Sequence, residues 1–147
     1  MELRKKTDSI IIHCAATKPS MDIGYQEIRK WHVEDNGWDD VGYHFIIRRN
    51  GKYEKGRPEG YSGAHAPSHN SRSIGICLVG GMAEDGTPEN NFTIEQLLTL
   101  RDLVNMIMER YSEITEILGH YDVQDNKPNC PGFNVREWLN KENINVA

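Results

Sequence analysis

Ile74-Gly75-Ile76-Cys77-Leu78-Val79 is an almost unbroken apolar run, closed by Gly80-Gly81. A strand without polar alternation has both faces covered, so this run predicts the central strand of a sheet. Working outward, Ser9 to His13 is a second compact β-branched run that ends on a polar residue and suits a buried strand. Tyr43-His44-Phe45-Ile46-Ile47 is strand-like as well. Asn50-Gly51 then supplies a strong hairpin signal, and Lys52-Tyr53-Glu54 returns. Thr93-Ile94-Glu95-Gln96 fits a capping box and opens the longest helix, with an apolar stripe through Leu97, Leu100, Val104, Ile107 and Tyr111. Residues Gly24 to Asp35 carry Tyr25, Ile28 and Trp31 on one face, and Asn36-Gly37 ends that shorter helix. Glu116-Ile117-Leu118-Gly119 predicts a short strand delivering His120, and Val135 to Leu139 a short terminal helix. Strands alternate with helices, but a hairpin interrupts the alternation. The expected fold class is therefore α/β, a single domain over residues 1–147 (core about 8–140) with a mixed central β-sheet and helices packed on its faces.

Composition narrows the function classes. The 147 residues are 37% hydrophobic and 27% charged, values of an ordinary globular domain large enough to close a core without staples. The net charge of −5 argues against nucleic acid as a partner, because phosphate binding needs concentrated Lys and Arg. The densest basic group, Arg48, Arg49, Lys52, Lys55 and Arg57, straddles the hairpin turn and reads as its solvated face. No apolar run is long enough to span a bilayer, so no membrane partner is expected. Ile10-Ile11-Ile12 is too short for the core of a signal peptide, which predicts a protein made and kept in a cytoplasm until some other release. Three cysteines without paired spacing do not make a disulfide framework.

Two histidines stand where strands end. His13 closes the first strand, His120 follows the short strand at 116–119, and Cys130 sits ten residues later between Pro128 and Pro131. Rigid strand ends hold side chains at an exposed edge, where sites are assembled. Two imidazoles and a thiolate suit zinc, and three protein ligands leave a fourth position for water. Spacing alone leaves the alternative open. His13 and His120 are 107 residues apart with no CxxC or HExxH motif, a strand-end histidine is commonly structural, and a lone cysteine is commonly a buried small hydrophobe.

Longer stretches carry more. Ile11-Ile12-His13-Cys14-Ala15-Ala16-Thr17-Lys18-Pro19-Ser20, Gly37-Trp38-Asp39-Asp40-Val41-Gly42-Tyr43-His44-Phe45-Ile46-Ile47 and Ser73-Ile74-Gly75-Ile76-Cys77-Leu78-Val79-Gly80-Gly81 resemble, in that order, the type 2 N-acetylmuramoyl-L-alanine amidases, and among them the phage lysozyme-like branch. Gly119-His120-Tyr121-Asp122-Val123 and Asn129-Cys130-Pro131-Gly132 are similar to the wider superfamily that includes peptidoglycan recognition proteins. The resemblance covers about His13 to Trp138. It implies a peptidoglycan hydrolase that cuts the amide between N-acetylmuramic acid and L-alanine, acting as a monomer with one Zn2+ held by His13, His120 and Cys130. It implies Tyr43 as the catalytic tyrosine and Lys127 as the catalytic lysine. In the phage enzymes that lysine stands two residues before the metal cysteine. Here that place is Pro128 and Lys127 stands three before. His65 matches a histidine on the substrate groove, and Asn70 on the same loop is a candidate to hydrogen-bond sugar or peptide. Asp122 and Asp125 compete as a third ligand, since some members use a carboxylate, although Cys130 fits the motif better. Cys14 and Cys77 read as core thiols, and His32, His44 and His69 receive no role. Two other readings follow from the same resemblance: a binding module that holds wall fragments uncut, and a regulator, since a phage relative also inhibits its phage RNA polymerase.

Overall fold

In the computed structural model, which describes residues 1–146, the apolar run at 74–78 is the middle strand of the sheet. The strands are β1 (Ser9–Cys14), β2 (Phe45–Ile47), β3 (Tyr53–Lys55), β4 (Ser73–Leu78) and β5 (Glu116–Gly119), in the spatial order β3-β2-β4-β1-β5. β1 pairs in parallel with both β4 and β5, β2 pairs in parallel with β4, and β3 runs antiparallel to β2. The sheet is thus mixed, as the hairpin requires. In the register of β1 with β5, Ile12 lies opposite Gly119, so His13 and His120 are the next residues of two adjacent strands.

Strand alternation divides the core. Ile10, Ile12, Ile74, Ile76 and Leu78 pack on one face with α2 (Ile94–Arg110) and α3 (Val135–Lys141), against Leu100, Val104, Ile107, Val135 and Leu139. Each fully buried isoleucine contributes about 1.5–3 kcal/mol relative to an exposed one. The other face has a smaller core in which Ile46, Cys77 and Val79 meet Ile23, Ile28 and Val41. No helix among the described residues is long and apolar enough to cross a membrane.

Two helices differ from expectation. The segment from Gly24 to Asp35 is α-helical only over α1 (Tyr25–Arg29) and continues as a π-helical turn over Lys30–Asp35. The Asn36 amide donates to the Trp31 carbonyl five residues back (3.1 Å), and Gly37 ends the helix at φ +74°, where a side chain would be strained. In α2 the Thr93–Gln96 capping box is present, and Leu100, Val104 and Ile107 are buried as predicted. Leu97 is only half-buried, while Gln96 and Leu103 are buried. The reason is polar. Gln96 Nε2 donates to the carbonyls of Val79 (2.8 Å) and Ile47 (3.1 Å) at the ends of β4 and β2, and Oε1 accepts from the Thr93 amide (3.0 Å).

Replacing Gln96 by leucine leaves the Thr93 amide without its acceptor, a loss of about 1–3 kcal/mol, and takes one of two donors from each carbonyl, since Ile47 keeps the Val79 amide and Val79 keeps Arg49. Chemical denaturation is expected to show a Gln96→Leu destabilisation of roughly 2–4 kcal/mol, against less than about 0.5 kcal/mol for Leu98→Gln on the exposed face. Equal stability of the two variants would contradict this account of α2.

Candidate active site

His13 is fully buried at the end of β1, and its Nδ1 lies 3.1 Å from Nδ1 of His120. His120 opens a single 3-10 turn (His120–Asp122) directly after β5. Cys130 is brought to the pair by the returning loop, where the Tyr121 amide donates to the Cys130 carbonyl (3.0 Å) and the Cys14 amide donates to Cys130 Sγ (3.2 Å). One ligand atom from each of His13, His120 and Cys130 lies within 4.8 Å of the others. The three residues marked in the sequence therefore converge.

Their surroundings suit a cation. Burial holds His13 well below the ordinary histidine range, reinforced by the neighbouring His65 and His120, and burial lowers His120 too. Both imidazoles are thus neutral at neutral pH, with a lone pair each to offer. Hydrogen bonding with Cys14 and burial push the Cys130 thiol up, so a thiolate there requires a positive charge beside it. Tetrahedral zinc, with Zn–N of about 2.0–2.1 Å, separates two ligand nitrogens by roughly 3.3 Å, close to the Nδ1 pair seen here. The donor set fits a zinc-like metal with one position left open.

Several side chains build the walls. Tyr43, just before β2, has its ring centre 5.1 Å from that of His13, and burial raises its phenol well above the ordinary range, which keeps it protonated. Two devices hold the approach to Tyr43. His32, presented by the π-helical turn, accepts from the Gly42 amide through Nδ1 (2.9 Å). Arg57 donates to the carbonyls of Val41 (3.0 Å), Ser62 (3.0 Å) and Asp40 (3.3 Å). Arg57 is 7% exposed, so the basic group around the hairpin is not simply a solvated face: the guanidinium replaces backbone partners that an irregular loop lacks.

The remaining candidates fall as follows. His65 is buried behind His13, with its Nδ1 2.8 Å from His13 Nε2, and its ring lies against Gly75, where a Cβ would come within 2.6 Å of His65 Cγ. Asn70 Oδ1 accepts from the amides of His65 (2.9 Å) and Ala66 (2.8 Å), so it clamps the loop that carries His65. Lys127 is exposed and lines, with Cys14, Ala16, Gly81, Met82 and Asn129, a cavity of about 290 Å³ beside Cys130. Its charge reaches His120, whose proton affinity it lowers further. Asp122 Oδ2 accepts from the Gly119 amide (2.9 Å) and Asp125 is exposed, so neither joins the metal-type group among the described residues. Cys14 and Cys77 are buried free thiols. A larger cavity, about 530 Å³, runs along β5 and α3 and includes none of the three converging residues.

Some contributors went unassigned in the sequence. His44 is buried, accepts from the Gly75 amide through Nδ1 (3.0 Å) and donates from Nε2 to the Tyr61 carbonyl (2.7 Å). Gln124 Oε1 accepts from His120 Nε2 at 2.5 Å. Its spacing of four from His120 is the one sequence signal that could have found it, and that is weak.

Comparison with known proteins gives a consistent match. The model of the N-acetylmuramoyl-L-alanine amidase family matches residues 3–133. The endolysins of Klebsiella phage KP32 and Escherichia phage T7 are each 45% identical over 141 residues, covering 96% of this chain and 91% of theirs. Among solved structures, the N-acetylmuramoyl-L-alanine amidase LysC from Clostridium intestinale URNW superposes with a TM-score of 0.79 at 33% identity, over 95% of this chain and 87% of that one.

The burial of His44 makes stability depend on pH. Its pKa is lowered from about 6.5 to about 4, chiefly by desolvation. As pH falls the unfolded chain takes up this proton first, so the contribution is complete above about 6.5 and is lost as pH falls toward 4. Urea unfolding of metal-free protein at pH 7 and pH 4.5 should show a loss larger by about 2–3 kcal/mol in wild type than in His44→Gln. Equal losses would contradict the assignment.

Proposed function

This chain belongs to the N-acetylmuramoyl-L-alanine amidase family and is a peptidoglycan hydrolase of the endolysin kind, and we propose that it works with one zinc ion held by His13, His120 and Cys130. The bond cut is the amide between N-acetylmuramic acid and L-alanine, and the place of action is the cell wall. The observation that carries the metal reading is the approach of two buried, neutral Nδ1 atoms to 3.1 Å with a thiol sulfur in the same group. A module that merely binds wall fragments has no need of that donor set.

Zinc bound there supplies a Lewis acid for the scissile carbonyl and lowers the pKa of a bound water to roughly 7. The chain's own residues do the rest. Tyr43, kept protonated by burial, accepts a hydrogen bond from the attacking water at its phenol oxygen and points its own O–H toward the departing nitrogen. It can pass a proton to the departing alanine nitrogen only by taking one from the water in exchange, which suits a relay. Lys127, exposed on the rim of the cavity beside Cys130, brings a positive charge to the oxyanion that develops on the carbonyl. Its ammonium sits on a long flexible side chain, so a shift of one position along the loop still leaves the site within reach. His65 and Asn70 serve the site from behind, one against His13 and the other holding the loop. Made in the host cytoplasm and released to the wall, the enzyme would act there as a monomer.

Digestion of purified peptidoglycan tests this. Wild type is expected to bind about one zinc and to free alanine amino termini without new sugar reducing ends. Cys130→Ser should lose zinc and activity together. Tyr43→Phe should keep zinc and lose about 10²–10⁴-fold in rate. New reducing ends would show a glycosidase, and a fully active Cys130→Ser would remove the metal assignment.

A further inference from the structure

The hydrogen bonds behind the two imidazoles settle where their protons sit. Ser73 Oγ lies 2.7 Å from the His69 carbonyl, which can only accept, so the hydroxyl proton points there. What Ser73 offers to His65 Nε2, 3.2 Å away, is therefore a lone pair, and His65 carries its proton on Nε2. His65 is buried with no carboxylate among its hydrogen-bond partners, so its imidazole carries that one proton and its Nδ1 is bare. His13 Nε2, 2.8 Å from that atom, must be the donor, which leaves His13 Nδ1 bare in turn. On the other side, Gln124 Oε1 accepts from His120 Nε2, and His120 Nδ1 is left without a proton. Two bare nitrogens then face each other at 3.1 Å, an arrangement that repels unless a cation lies between them.

We infer that Gln124, on one side, and the Ser73–His65 pair, on the other, are positioning residues that fix both metal-facing histidines with the proton on Nε2 and the Nδ1 lone pair turned toward Cys130. This rests on the reading of His13, His120 and Cys130 as zinc ligands. The two supports are built differently. Ser73 and His65 are buried and belong to β4 and to the clamped loop before it, so that side is rigid. Gln124 is only half-buried, and its amide donates to the His120 carbonyl (3.1 Å), so backbone and side chain of one residue hold the same histidine. Without Gln124 the His120 ring is free to carry its proton on either nitrogen and to rotate, and part of the population no longer presents a lone pair to the metal.

Zinc competition against a chromophoric chelator, at fixed pH, tests this with Gln124→Ala, Gln124→Glu and Ser73→Ala. Gln124→Ala is expected to weaken zinc binding about 10–100-fold, while the melting temperature of its metal-free form stays at the wild-type value. Gln124→Glu keeps an acceptor and should return affinity to near wild type. Ser73→Ala should weaken binding by about tenfold. In zinc-loaded wild type, histidine ring NMR should show His120 protonated at Nε2, and this signal should exchange faster with solvent in Gln124→Ala. Zinc affinity of Gln124→Ala within about twofold of wild type, against the usual 10–100-fold, would overturn the inference while leaving the ligand assignment standing. A wild type that binds no zinc would overturn the ligand assignment and the inference with it.

Discussion

The parallel pairing of β1 with β5 is the constraint on which the rest depends. With Ile12 opposite Gly119, the next residue on each strand is a histidine, and the two Nδ1 atoms meet at 3.1 Å. A slip of one residue would turn His13 to the opposite face and put Ile12 or Cys14 in its place. The register is protected by burial, since Ile10 and Ile12 on one face join a core that α2 and α3 close. Hydrophobic packing remote from the chemistry thus sets the distance between the two imidazoles.

A second layer of control is electrostatic. Burial keeps the imidazoles neutral and the Cys130 thiol and Tyr43 phenol protonated when nothing positive is near. Such a pocket has no stable charge of its own, and a divalent cation is what turns thiol to thiolate there. The exposed Lys127 lies at the rim, where its charge need not pay for desolvation. The same low-dielectric surroundings leave His44, behind the site, with a pKa near 4.

Much of this was legible in the sequence, for a physical reason. Apolar runs report burial directly, so Ser9 to His13 and Ile74 to Val79 identified the two central strands, and Thr93 with Gln96 identified the start of α2. Ordered motifs carried His13, His120 and Cys130 to one place despite their separation. What was not legible depends on partners far along the chain. Gln96 is buried because its side chain bridges two strand-end carbonyls, which no helical periodicity encodes. Arg57 is buried because three loop carbonyls surround it. The π-helical turn at Lys30–Asp35 follows local amphipathic pattern almost as well as an α-helix would, and it carries the His32 that accepts from the Gly42 amide. His65 was identified as a candidate, but its place behind His13 follows from the close approach to Gly75.

The central claim is that two imidazole nitrogens and one cysteine sulfur bind a single zinc. X-ray absorption at the zinc edge of the loaded protein addresses it most directly. The account predicts nitrogen or oxygen scatterers at about 2.0–2.1 Å, with imidazole outer-shell features, and one sulfur at about 2.3 Å. A spectrum with no sulfur, or with the oxygen-only shell of a surface-bound ion, would contradict it.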